Sequence, residues 1–263
     1  MSDLVDAWRT RGGLRTVDSE RVFVVDVPPA GVPRAAPLLV LHGFPTSSFD
    51  FHRVVDALAA DRRVVLFDYP GYGLSAKPDR PYSLVGHADT AARLVADLGI
   101  DRLGLLTHDI GDTVGGELLA RQLEGGWPVE VTDRVLANGT LFMDLVQLSP
   151  GQQLLEALPD ERLAPGVLTR DAVRAGLAGT FSPSHEVDAA EVDAAWELIA
   201  DREGERLLPR QPSPRYRGAR VRQLRLSANL LGHHQQAPLD HPQRRLHRDP
   251  AGGDRLHQDD ADL

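Results

Sequence analysis

The chain has 263 residues, room for one sizeable core and an accessory lobe, and its 38 acidic against 29 basic side chains leave a formal charge of −9 that weighs against general nucleic-acid affinity. It contains no cysteine, which excludes disulfides and thiolate-held metals, and histidines at zinc-site spacings such as His-Glu-x-x-His are absent, so no metal or other cofactor is expected. With no apolar run of about eighteen residues and no signal-peptide start, the expected setting is the cytoplasm and the expected partner a small molecule, not a membrane or nucleic acid; the oligomeric state is left open.

In chain order, the first clear signal is the apolar strand at residues 37–41, which ends in His42-Gly43-Phe44-Pro45-Thr46-Ser47-Ser48 before a helical stretch over 49–60. His42, a histidine closing a strand beside a glycine, reads as a residue that hydrogen-bonds its own loop rather than as a catalytic base. A second strand, 63–67, leaves through Asp68-Tyr69-Pro70-Gly71-Tyr72-Gly73-Leu74-Ser75, a glycine- and proline-rich exit whose task is shape. Ser75 lacks the second glycine and following helix of a serine nucleophile, and no phosphate-binding glycine pattern opens a helix.

A helix is expected over 87–98, then the strand 103–106, an abrupt turn at Thr107-His108-Asp109-Ile110-Gly111, and a helix over 113–123 with Leu118, Leu119 and Leu123 on one side. Small-x-Asp-x-small between strand and helix has the form of a nucleophile elbow, in which small neighbours let strand and helix approach. The central residue is a carboxylate, able to attack carbon without first losing a proton. The competing assignment makes Asp109 or Asp112 a plain helix N-cap. In the elbow plan the residue after the nucleophile and the loop after the first strand each give a backbone N–H to an oxyanion hole, here Ile110 and Phe44.

The strand 134–138 follows, leaving through Gly139-Thr140-Leu141-Phe142-Met143-Asp144. Strands alternating with helices predict an α/β fold: a mostly parallel sheet with helices on both faces and the site at the carboxyl ends of the strands. Residues 1–144 form this core. Residues 145–206 read as a helical cap with helices over 149–158, 170–178 and 189–200, and with Leu154, Phe181 and Trp196 as candidate pocket lining. Ser184 to Asp188 supplies an N-cap and first-turn acids, so His185 needs no catalytic explanation.

Residues 207–263 change character: the last Glu is Glu205, the last Ile is Ile199 and the last Phe is Phe181. The composition there buries too little apolar surface to offset ordering. A shifted reading frame after Arg210, a divergent end and a disordered extension all give such a tail. The arginines at 215, 217, 220, 222 and 225 come without a recognised nucleic-acid-binding fold and do not signal nucleic-acid binding.

His42-Gly43-Phe44-Pro45, Asp68-Tyr69-Pro70-Gly71-Tyr72-Gly73 and His108-Asp109-Ile110-Gly111 together resemble an α/β-hydrolase of the epoxide hydrolase and haloalkane dehalogenase type over about residues 15–210. His108 to Val114 and Asn138 to Phe142 resemble the branch named after the mesoderm-specific transcript protein. The resemblance implies an α/β-hydrolase fold with a helical cap, its last strands missing from the tail. It also implies a hydrolase acting on a small, fairly apolar substrate through an alkyl ester on Asp109, which a histidine-activated water then cleaves. Phe142-Met143-Asp144 is similar to a segment that carries the orienting acid in some haloalkane dehalogenases, which makes Asp144 the candidate third member. Gly232-His233-His234 is faintly similar to the loop carrying the family's histidine, so His233 and His234 are the candidate bases. Phe44 and Ile110 stand where dehalogenases carry halide-holding asparagine and tryptophan, and no tyrosine lies between Asp144 and Arg215 to serve as the cap tyrosine of epoxide hydrolases. The alternative is a catalytically inactive binding protein, or a truncated product without the base. In limited proteolysis, the first cuts should fall beyond about residue 210; cleavage of the core ahead of the tail would refute the composition argument.

Overall fold

A computed structural model describes residues 2–139, 153, 169–182, 184 and 187–211. Six strands form one sheet in the order β1 (Gly12–Val17), β2 (Glu20–Val27), β4 (Val64–Phe67), β3 (Leu38–Leu41), β5 (Arg102–His108), β6 (Glu130–Ala137). β3, β4, β5 and β6 run parallel, and β1 and β2 add an antiparallel edge. The sheet is therefore mostly parallel, with both faces covered as the alternating pattern predicts.

The four-residue runs of β3 and β4 are buried throughout because alternate side chains enter different cores. Leu39, Leu41, Val65 and Phe67 pack under α3 (Leu84–Asp97) and α4 (Ile110–Leu123). Leu38, Val40, Val64 and Leu66 face the opposite layer with Val5 and Trp8 of α1 (Asp3–Arg11), Phe49, Val55 of α2 (Val55–Leu58), and Ala194 and Leu198. The last two lie on α6 (Ala189–Ala200), which follows α5 (Arg170–Ala178); both helices keep the bounds read from sequence.

Several expectations need correction. The helix over 49–60 is a 3-10 turn, Ser48–Phe51, followed by the single turn of α2. Bonds from His52 N–H to Phe49 O (2.9 Å) and from Val54 N–H to Phe51 O (3.0 Å) keep the i to i+3 spacing, and the His52 ring takes Phe49 O as well (2.8 Å). Leu123 is 59% exposed, because the buried face of α4 follows Gly111, Val114, Gly115 and Leu118, and Leu123 lies off that repeat. Phe181, past the end of α5, is 38% exposed. The elements α1, β1 and β2 had no sequence signal assigned; β1 and β2 are joined through Asp18 (φ 45°) and Ser19 (φ 70°), the left-handed pair of a two-residue hairpin turn. The expected helix over 149–158, apart from Gln153, and the tail beyond Gln211 lie outside the described residues. Among the described residues β6 is the outer strand, leaving Val135 and Leu136 exposed.

Lys77, the chain's only lysine, is buried between the β4 exit and the end of α6. Its Nζ donates to Gly73 O (2.8 Å) at the β4 exit, and to Leu198 O (3.1 Å) and Asp201 O (2.6 Å) at the end of α6. Three donors meet three carbonyls, and the last turn of α6 is thereby fastened to the β4 exit. Burial pushes the ammonium down to about 8 from its ordinary 10.5, against the opposing pull of Asp201 and Asp68. The unfolded chain then binds the extra proton between these values, so stability should rise as pH climbs from about 8 toward 10 and fall back as pH drops through 8. Urea melts across that range should show the rise in the parent chain and a flatter profile in Lys77→Met; an equal rise in both would refute it.

Candidate active site

β5 ends at His108 and α4 begins at Ile110, so Asp109 alone makes the turn, with φ 54° and ψ −118°. A non-glycine residue there carries strain of roughly 1–3 kcal/mol, which persists only where the surroundings fix it. Asp109 N–H donates to Ala137 O of β6 (3.0 Å), and Asp109 O accepts from Asp112 N–H (3.1 Å). Packing closes the rest. A Cβ on Gly43 would lie 2.8 Å from Asp109 Cβ and 2.9 Å from His108 Nδ1, one on Gly111 would collide with Leu41 O, and one on Gly115 would lie 2.9 Å from Thr107 Cγ2. Strand, helix and the 42–48 loop therefore meet only because those neighbours are small.

That closeness puts the Phe44 N–H on Asp109 Oδ1 at 2.9 Å. Ile110 opens α4, where the first N–H groups have no partner inside the helix, and its side chain packs against the core. The Phe44 side chain enters a small apolar cluster with Val173, Leu177, Trp196, Ile199 and Leu208. One residue thus carries both a donor to the carboxylate and a piece of apolar wall shared with α5 and α6. α6 is held there by Lys77, by contact of Glu191 with the His52 ring (2.9 Å) and by its ion pair with Arg53.

The loop histidine is structural, as its position suggested. His42 Nδ1 donates to Gly43 O (2.8 Å), its Nε2 accepts from Tyr69 N–H (3.1 Å), and burial pushes it down to about 3, so it is neutral and fully occupied. Burial pushes His87 down to about 3 as well, where it stacks on Tyr69 with ring centres 4.6 Å apart. Ser75 is also structural: its hydroxyl donates to Asp68 O (2.6 Å) and accepts from Phe23 N–H (2.9 Å). Asp68, raised by burial, accepts from Ser48 N–H (2.9 Å) and Leu74 N–H (2.7 Å), which ties the Phe44 loop to the β4 exit. The N-cap of α6 is Asp188, whose carboxylate accepts from Ala190 N–H (2.9 Å).

Asp112 is the residue whose weight the sequence reading missed. It is fully buried, accepts a hydrogen bond from the Thr107 hydroxyl, and lies so close to the β6 exit that a Cβ on Gly139 would collide with its carboxylate. An acid one helical turn past the elbow was the available signal, but its burial depends on β6, which is distant in sequence. The candidate acid Asp144, the candidate bases His233 and His234, and Leu154 and His185 lie outside the described residues.

Known proteins place the chain as follows. The alpha/beta hydrolase fold family matches residues 36–163. A Mycobacterium tuberculosis protein that bears the name "Putative hydrolase LipZ" is 36% identical over 208 residues, spanning 78% of this chain and 70% of its own length. The mesoderm-specific transcript protein of Mus musculus is 32% identical over 215 residues; the match spans 78% of this chain and 62% of that protein, less than two thirds of it. Among solved structures, haloalkane dehalogenase DbeA from Bradyrhizobium elkani superposes with a TM-score of 0.67 at 22% identity, over 84% of this chain and 76% of that one. Epoxide hydrolase CorEH superposes with a TM-score of 0.58 at 19% identity, over 75% of this chain and 71% of that one, and at such identities both structures speak to fold alone. A mostly parallel sheet with a strained turn at the carboxyl end of β5, matched by a relative of this identity and coverage, makes the chain a hydrolase belonging to the alpha/beta hydrolase fold family.

Proposed function

We propose that this hydrolase works through Asp109 as nucleophile on a small, apolar substrate with an electrophilic carbon, an epoxide or an alkyl halide being the chemical types to try. The observation that carries the reading is the Asp109 carboxylate at a strained strand-to-helix turn with the Phe44 N–H already on Oδ1 at 2.9 Å. Oδ2 is then the atom left to attack. It forms a bond to the substrate carbon, the carbon–oxygen or carbon–halogen bond breaks, and its electron pair leaves with the oxygen or halide. An epoxide oxygen released in this way takes a proton from water.

The product is a neutral ester whose carbonyl oxygen is Oδ1, already against the Phe44 N–H. When water adds to that carbonyl carbon, negative charge gathers on Oδ1 and is met by a donor in place before the step begins. Ile110 N–H is the second donor in this reading. The water gives its proton to a histidine, the acyl carbon–oxygen bond breaks, and the alcohol leaves with a proton while the Asp109 carboxylate is restored. His233 and His234 are the proposed sources of that histidine, and Asp144 the acid that orients it. The cluster of Phe44, Trp196, Leu177 and Ile199 supports an apolar substrate, because it adjoins the carboxylate through Phe44 itself.

Incubating the full chain with a reactive epoxide such as styrene oxide, or with an iodoalkane, should place one adduct on the peptide containing Asp109. Intact-mass spectrometry and peptide mapping should show no such adduct in Asp109→Asn. Replacing the base should trap the ester, so accumulation of adduct in His233→Ala or His234→Ala above that in the parent chain identifies it. Equal labelling of Asp109→Asn would sink the nucleophile assignment.

A further inference from the structure

The elbow holds a second carboxyl group that the reaction above does not use. Asp112 is buried, its N–H bonds to Asp109 O at 3.1 Å, and its side chain is seated between the end of β5 and the exit of β6. We propose that Asp112 is an electrostatic partner of the nucleophile: as an anion behind Asp109 it speeds ester formation and slows ester hydrolysis, and as a neutral acid it does the reverse. The inference rests on Asp109 being the nucleophile.

The argument is one of charge. Before attack, two carboxylates share one turn, and the charge of Asp109 acts on Asp112 as a like charge. During attack the charge of Asp109 passes to the leaving group, and in the ester it is gone, so the repulsion is relieved on the way to the transition state. Water addition rebuilds negative charge on the same residue and restores the repulsion. A buried anion at this place therefore favours one half-reaction at the expense of the other.

The surroundings of Asp112 allow both states. When Asp112 is ionised, Thr107 Oγ1 donates to its Oδ1; when it is protonated, it can donate to Thr107 Oγ1, whose own hydrogen then has Val135 O at 3.3 Å. Neither state leaves the hydroxyl without a partner. β5 faces the carboxyl with the Thr107 hydroxyl, and β6 faces it with backbone hydrogen bonds at Ala137 and Gly139. The titratable neighbours that interact with it are Asp109 on its own turn and Tyr69 from the β4 exit. Burial outweighs the hydrogen bonds and pushes Asp112 up to about 6, so the switch falls in an accessible pH range.

The test measures the rate at which the full chain acquires the Asp109 adduct between pH 5 and 8. The parent chain should label faster as pH rises, with a limb centred near 6. Asp112→Asn should lose the limb and label about three- to tenfold more slowly at pH 8, the effect of partly removing one charge beside another at an effective dielectric of about 20. It should also hydrolyse a preformed ester faster. Thr107→Val, which removes the bond that favours the anion, should move the limb upward, and it decides the matter if Asp112→Asn does not fold. A limb unchanged in both variants overturns the role of Asp112 and leaves Asp109 standing. A parent chain that takes no adduct at Asp109 overturns the nucleophile, and with it this inference.

Discussion

Everything at the candidate site depends on one strained residue. Asp109 turns the chain from strand to helix in a left-handed backbone conformation, and it does so between β6, which accepts its N–H, and the 42–48 loop, which donates to its side chain. Relaxing the turn would swing the carboxylate away from the Phe44 N–H. The strain is sustained by packing: Gly43, Gly111 and Gly115 each occupy space that a larger residue could not share with its neighbours. Strain of this kind holds a carboxylate in one direction without mobile parts.

Around that residue, burial sorts the ionisable groups into different uses. His42 and His87 are held neutral and serve as packing. Lys77 keeps its three donors occupied at the end of α6, and its burial lowers the cost of giving up the proton. Asp68 and Asp112 are both raised by burial, but Asp68 is tied to loop N–H groups whereas Asp112 shares a turn with Asp109. The same desolvation therefore leaves one acid among backbone donors and the other beside a second carboxyl group; the difference lies in which charge stands nearby.

Helices α5 and α6 are coupled to the candidate site through side chains already engaged elsewhere. Phe44 joins the carboxylate to the cluster of Trp196, Leu177 and Ile199, while His52 and Arg53, just past the 3-10 turn, pair with Glu191 on α6. Movement of α6 would thus be felt both by the apolar wall and by the loop that supplies a donor to Asp109.

The sequence by itself determined the strands β3 to β6, the helices α3 to α6, the elbow at Asp109 and the structural role of His42 and Ser75. Each of these follows from short-range information: apolar runs, small residues at fixed offsets, and turn chemistry. It misjudged residues 49–60, where i to i+3 bonds and the His52 ring replaced a regular helix, and Leu123, which the register of α4 turns outward. It assigned nothing to β1, β2 or the burial of Asp112 and Lys77. Those were decided by tertiary structure alone, because the partners lie far along the chain: β2 pairs with β4, Asp112 is enclosed by the exit of β6, and Lys77 is closed over by the end of α6. A residue's burial, and with it the protonation state that gives it a chemical use, depends on atoms that local sequence does not name.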